Sequence, residues 1–297
     1  MKKYIFSGYE IQKENSFFVV DSFETANVER TKISIYKTPF SITRFKERFC
    51  IGRYDLKTFE SFACPHRKNL SDNVKGNICM DCFKFNSFNP SFYNMKVSDL
   101  SSKQREYNLS PHNVYLVAFS EAHIKVGISH HERTLTRWLE QGARVATIIY
   151  KCETAYDARE IEERISKELK LSESYRADSK RQLLSEPFKM ESILSRLADT
   201  RTQIETYLNS KTVQSEIFDL NEYYLKNGTI SKNIIDVSNE FPLSVSGLAT
   251  GLIGDILIFE NANQQFMVSL KKFLSHQISF ESILTKQNFI ATQTSLF

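Results

Sequence analysis

Four side chains between Val114 and Leu169 have the types needed to act together on a phosphodiester: Tyr115, Lys125, Arg137 and Glu162. A phenol titrates near about 10 and is a poor base at neutral pH. A neighbouring ammonium or a metal-bound hydroxide lowers it, so Tyr115 beside Lys125 would have a use. Arg133, Arg137 and Gln141 recur at i, i+4 and i+8, one face of a helix. That face is either simply solvated or a phosphate clamp, because guanidinium presents two donors to two phosphate oxygens. Glu162 falls inside the apolar stripe Ala158, Ile161, Ile165, Leu169, while Glu160 and Glu163 point away. A carboxylate on a core-facing side is costly unless it is paired or binds metal. A buried Glu–Arg pair is one solution; a divalent cation is the preferred one, since Mg²⁺ commonly binds through one carboxylate and several waters. Gly127 is expected to let a substrate backbone approach its strand closely.

A second cluster is made of sulfur. Cys50, Cys64, Cys79 and Cys82 lie close in sequence, and the last two have the Cys-x2-Cys spacing at which one turn of backbone aims two thiolates at one zinc. Four thiolates close a tetrahedral shell and leave no water position, so the expected zinc is structural. His66, in Cys64-Pro65-His66, is an alternative ligand, and four reduced cysteines binding nothing is the bland reading. Cys152 ends a strand and reads as a small core residue.

These residues need elements to carry them. Val114–Phe119 and Ile124–Ser129 read as adjacent antiparallel strands, followed by a helix near Glu132–Gln141 with Leu135, Trp138 and Leu139 on its apolar side. A third strand follows. The next helix opens at Thr154-x-x-Asp157, a capping-box-like start, and one further helix runs from about Glu186 to Thr200. Apolar and polar residues alternate through residues 1–49 and again through 240–285, which reads as strand in both. The expected fold class is α+β with three domains: 1–108, N-terminal β with the cysteine segment 50–82; 109–200, the central mixed unit; and 201–297, C-terminal β.

The bulk composition sets wide bounds. The chain has 297 residues, 41% hydrophobic, with 23 Phe, 13 Tyr and only 9 Gly, which suits a globular chain rich in strand. A net charge of +4 permits a nucleic-acid partner without demanding one. No apolar run approaches the ~18 residues of a transmembrane helix, and the first ten residues lack the apolar core of a secretory signal. A cytoplasmic, non-membrane protein is expected, with its five cysteines reduced and more suited to metal than to disulfides.

The run Asn113-Val114-Tyr115, Lys125-Val126-Gly127, Arg137-Trp138 and Glu162 resembles the GIY-YIG nuclease superfamily, with Lys in place of the usual second Tyr and Gln141 where many members carry His. The resemblance implies Arg137 as the catalytic arginine and Glu162 as the metal-binding glutamate, holding Mg²⁺ or Mn²⁺. It implies a metal-dependent endonuclease acting on nucleic acid, with DNA favoured. Tyr115-Leu116-Val117-Ala118-Phe119, Arg137 to Ala143, Cys50-x-Gly52, Cys64-Pro65 and Cys79-x2-Cys82 are similar to the prokaryotic "domain of unknown function 2797" family. Arg176 and Lys180 resemble a basic, substrate-binding element there. The last residues, Gln293 to Phe297, resemble the short peptide by which bacterial replication and repair proteins bind the DNA sliding clamp, implying Gln293, Leu296 and Phe297 as anchors. A non-catalytic nucleic-acid-binding or clamp-associated adaptor on the same scaffold is the alternative from another class. A structural zinc protein that recruits other proteins is a third.

Overall fold

A computed structural model describes residues 2–23, 28–36, 38–89, 91–172, 177–226 and 229–285. The chain forms two compact units: one from residues 1–53, 61–82 and 223–297, the other from 54–60 and 83–222. No helix among the described residues is long and apolar enough to cross a membrane.

The first unit is built on a nine-stranded sheet. Its order is Ile235–Asp236, Gln264–Ser269, Ile256–Asn261, Ser244–Ile253, Phe40–Arg48, His276–Glu281, Lys2–Ile11, Ser16–Ser22, Arg30–Ser34. The two β regions expected as separate domains therefore share one sheet: Phe40–Arg48 pairs with Ser244–Ile253 on one side and His276–Glu281 on the other. One hydrophobic core serves both. Phe6, Phe18, Phe40 and Phe259 follow one another through it edge to face, with centroids 5.9, 6.0 and 5.6 Å apart, the arrangement favoured by the ring quadrupole. Asp21 is fully buried there and is satisfied by Arg30, at 2.8 and 2.9 Å, and by the Ser7 hydroxyl at 2.6 Å, the company a buried carboxylate requires.

The second unit is a four-stranded antiparallel sheet in the order Phe218–Asp219, Val145–Cys152, His112–Ala118, Ile124–His130. Strand alternation separates its two faces. Val114, Leu116, Ala118, Ile124 and Val126 join a core with the helices Ala155–Leu169 and Met190–Leu208. Tyr115 meets Trp138 of the helix Thr134–Gln141 at 5.9 Å, edge to face. The expected boundary at residue 200 falls inside the helix Met190–Leu208, and Phe218 pairs with Ala146, so the unit continues past it.

The helix carrying Glu162 begins where its cap indicates. Thr154 accepts from the Asp157 amide at 3.2 Å and donates to the Asp157 carboxylate at 2.7 Å. Ala155, Ala158, Glu162 and Ile165 are its buried face. The preceding helix departs from its expected pattern at Leu135, which is 38% exposed while Trp138 and Leu139 are buried.

Candidate functional site

Tyr115 is the centre of the site. Its strand partner in register is Gly127, and the phenol ring lies across that glycine. A methyl group added to Gly127 would stand 2.7 Å from the ring carbon Cζ and from the hydroxyl. The role expected for Gly127, close approach of a substrate backbone, is thus taken by the chain's own tyrosine.

Gln141 bridges Tyr115 to Lys125. Lys125 Nζ donates to Gln141 Oε1 at 2.8 Å, and Gln141 Nε2 donates to the Tyr115 hydroxyl at 2.8 Å. Gln141 is the last residue of its helix, which closes at Gly142. The final carbonyls of a helix lack intrahelical donors; Lys180 Nζ supplies one to the Gln141 carbonyl at 2.7 Å, while lying 4.6 Å from the Phe119 ring centroid. Lys180 thus reaches the site by holding Gln141.

Tyr115 is almost fully buried. Burial pushes its phenol up to about 12; the Gln141 hydrogen bond and the Arg137 charge pull it down, and the Glu162 charge pushes it up. The phenol is thus raised rather than lowered: Lys125 is joined to Tyr115 through the Gln141 amide, and desolvation dominates.

Arg137 is half exposed, at 50%, and pairs with Glu140 at 3.4 Å. Arg133 takes the other Glu140 oxygen at 3.0 Å and stacks over the Tyr54 and Phe59 rings at 5.1 and 5.8 Å. The three residues expected on one face thus part company. Arg133 and Arg137 share a carboxylate, and Gln141 turns inward to the tyrosine.

Glu162 is 6% exposed. Arg159, one turn earlier, donates to its Oε2 at 2.5 Å and sits over the Tyr93 ring at 4.5 Å. This is the buried Glu–Arg pair weighed from the sequence; the i, i+3 spacing was the available signal for its partner. Lys125, Gln141 and Tyr115 are joined by hydrogen bonds. Arg137 acts on the phenol through its charge and a side-chain hydrogen bond, and Glu162 through its charge. Arg176, Gln293, Leu296 and Phe297 lie outside the described residues.

Beyond the sequence reading lies a ring cluster at the end of the same strand pair. His112 and His130 are cross-strand partners. His130 stacks on Tyr107 at 5.4 Å and tilts against Phe59 at 4.8 Å. Burial, then the charges of His112 and His131, hold His130 down to about 4, and burial lowers His112 as well.

In the first unit, Cys50, Cys64, Cys79 and Cys82 are all buried, and their sulfurs lie within 4.8 Å of one another. They could hold one metal ion. A tetrahedral zinc with Zn–S of about 2.3 Å sets its sulfurs about 3.8 Å apart, so the set fits with small adjustment. Cys50 Sγ accepts from the amides of Cys79 at 3.1 Å and Gly52 at 3.3 Å, bonds that favour a thiolate. His66 is exposed and outside the group. Gly52 has φ +97°, and a methyl there would fall 1.9 Å from the Phe62 carbonyl oxygen and 2.8 Å from the Cys64 nitrogen. Only glycine lets these two ligand-bearing segments meet. Arg48 fastens the loop between ligands by donating to the carbonyls of Val74 at 3.2 Å and Gly76 at 2.5 Å. Cys152 is a buried core residue of the other unit, with burial pushing its thiol up to about 11.

The profile of the family described as "Protein of unknown function (DUF2797)" matches residues 40–278. No curated protein and no solved structure matches the chain.

Proposed function

Because the chain belongs to the DUF2797 family, whose description assigns no activity, we propose one from its own residues: a metal-dependent endonuclease of the GIY-YIG type, acting on DNA. The observation that carries this reading is the convergence on one phenol. Tyr115 is tied through Gln141 to Lys125, and the charges of Arg137 and Glu162 both act on it. The antiparallel strand order, with His112–Ala118 between its two neighbours, is compatible with the GIY-YIG resemblance.

In this reading Arg137 leaves Glu140 to bind a phosphate and stabilise the charge that develops on it. Glu162 would hold Mg²⁺ or Mn²⁺, and such an ion would supply Lewis acidity to the reaction. A single carboxylate suits Mg²⁺, though one of its oxygens is engaged by Arg159. Tyr115, neutral at physiological pH, serves as the positioning hydroxyl rather than as a base. The four cysteines hold a structural zinc, and the tail residues Gln293, Leu296 and Phe297 dock on the sliding clamp. A cytoplasmic protein linked to replication, repair or phage defence fits these assignments.

The test is cleavage of labelled DNA and RNA in the presence of Mg²⁺ or Mn²⁺. Equal behaviour of the natural protein and Glu162→Gln removes the catalytic claim. The second reading, a non-catalytic nucleic-acid-binding adaptor, is favoured by one feature: Glu162 already has a buried cationic partner in Arg159. It predicts salt-sensitive DNA binding without cleavage.

A further inference from the structure

Gln141 stands between two groups whose roles cannot be exchanged. An ammonium is a donor only, so the amide atom facing Lys125 Nζ at 2.8 Å must be the carbonyl oxygen. The nitrogen is then the atom facing Tyr115, at 2.8 Å, and an amide nitrogen only donates. Turning the amide over would set an NH₂ against an ammonium. The orientation thus follows from the neighbours, which is how amide orientations are assigned. Lys180, through the Gln141 carbonyl, also fixes the backbone from which the amide reaches.

With its oxygen accepting from Gln141, the Tyr115 hydroxyl must direct its own proton elsewhere. We propose that Gln141 is a positioning residue: it sets the direction of the Lys125–Gln141–Tyr115 chain so that the hydroxyl donates to a phosphodiester oxygen brought in by Arg137. The acceptor rests on the nuclease reading above; the direction rests on the geometry of the free protein alone. Arg137 suits the delivery because it is half exposed and its charge already acts on the buried phenol. The neutral phenol that burial enforces keeps the proton available to donate.

The experiment labels tyrosine at Cζ with carbon-13 in the full chain and assigns the Tyr115 signal by its loss in Tyr115→Phe. Lys125→Met removes the group that orients the amide, and Gln141→Glu makes the phenol donate inward to a carboxylate. Both should displace the Tyr115 signal in the same direction. Gln141→His should leave it near its natural position, because one ring nitrogen can accept from Lys125 while the other donates to Tyr115. In the cleavage arm with Mn²⁺, Gln141→Glu should lose about 100-fold, equal to Tyr115→Phe and to the double variant, while Gln141→His stays within about tenfold of the natural protein. An unmoved Cζ signal in Lys125→Met and Gln141→Glu overturns the direction, whatever the cleavage result. Cleavage by Gln141→Glu as fast as the natural protein overturns the donor role. A natural protein that does not cleave, with the Cζ pattern intact, overturns the phosphodiester as acceptor together with the nuclease reading, and leaves the direction standing.

Discussion

Arg159 and Glu162 neutralise each other on one face of one helix: Nη1 donates to Oε2 at 2.5 Å, with side-chain exposures of 16% and 8%. Removing one partner of such a pair leaves the other charge buried and uncompensated. Arg159→Met should therefore cost about 3 kcal/mol in urea unfolding. If Glu162 is a cation seat, Mn²⁺ should restore much of that loss in Arg159→Met and none in Arg159→Met with Glu162→Leu. Identical unfolding curves with and without Mn²⁺ would argue against a metal at Glu162.

Gly127→Ala should destabilise the second unit by about 1–3 kcal/mol, the usual cost of overpacking a filled site. The added methyl meets a ring whose hydroxyl is held by Gln141, so the ring cannot simply swing away. The same substitution should break the Tyr115–Gln141 hydrogen bond, giving a displaced Tyr115 signal in tyrosine-labelled spectra. An unaltered signal and unaltered stability would show that the ring does not cover the glycine.

The cysteine group should bind one zinc per chain, measured by elemental analysis of purified protein. Cys82→Ser should abolish stoichiometric binding, and Gly52→Ala should weaken it although no ligand is changed. Chelation should open the segment between Cys50 and Cys82 to protease, because metal-binding energy in such small sites is folding energy. His66→Ala should retain the metal, since that imidazole is exposed and outside the group.

Stability should fall as the solution is acidified through the histidine range. An imidazole in the unfolded chain titrates near about 6.5, whereas the folded His130 is held at about 4 and His112 is also lowered. Between those values the unfolded chain binds protons that the folded rings refuse, so the contribution is complete above about 6.5 and is lost toward about 4. His130→Phe should flatten the slope in that window, measured as midpoint denaturant concentration against pH. A slope unchanged by the substitution would place the linkage elsewhere.

Much of the second unit can be read directly from its sequence. The Thr154–Asp157 cap and the stripe of Ala158, Ile165 and their neighbours set both the start of the helix and the inward phase of Glu162. What could not be read came from groups that meet only after the strands pair. The bridging of Lys125 and Tyr115 by Gln141 depends on where the intervening helix ends, and helical phase alone put Gln141 on a face with Arg133 and Arg137. Leu135 was assigned inward by periodicity, but a helix this short need bury only Trp138 and Leu139 against the sheet. The terminal strands were legible as strands, and their partners were not, because period-two alternation says nothing about which distant strand lies alongside.

That pairing has a consequence for synthesis on the ribosome. Thr43 and Ser244 share a hydrogen bond at 2.9 Å across 201 positions of sequence, and Lys2–Ile11 has one neighbour in Ser16–Ser22 and the other in His276–Glu281. The strands made first must wait, with open edges, until nearly the whole chain has been translated. The second unit, drawn from residues 54–60 and 83–222, can fold in the meantime. The sheet is thus the last part of the protein to close, and the nascent chain is most exposed to aggregation and most dependent on chaperones while the early strands stand unpaired.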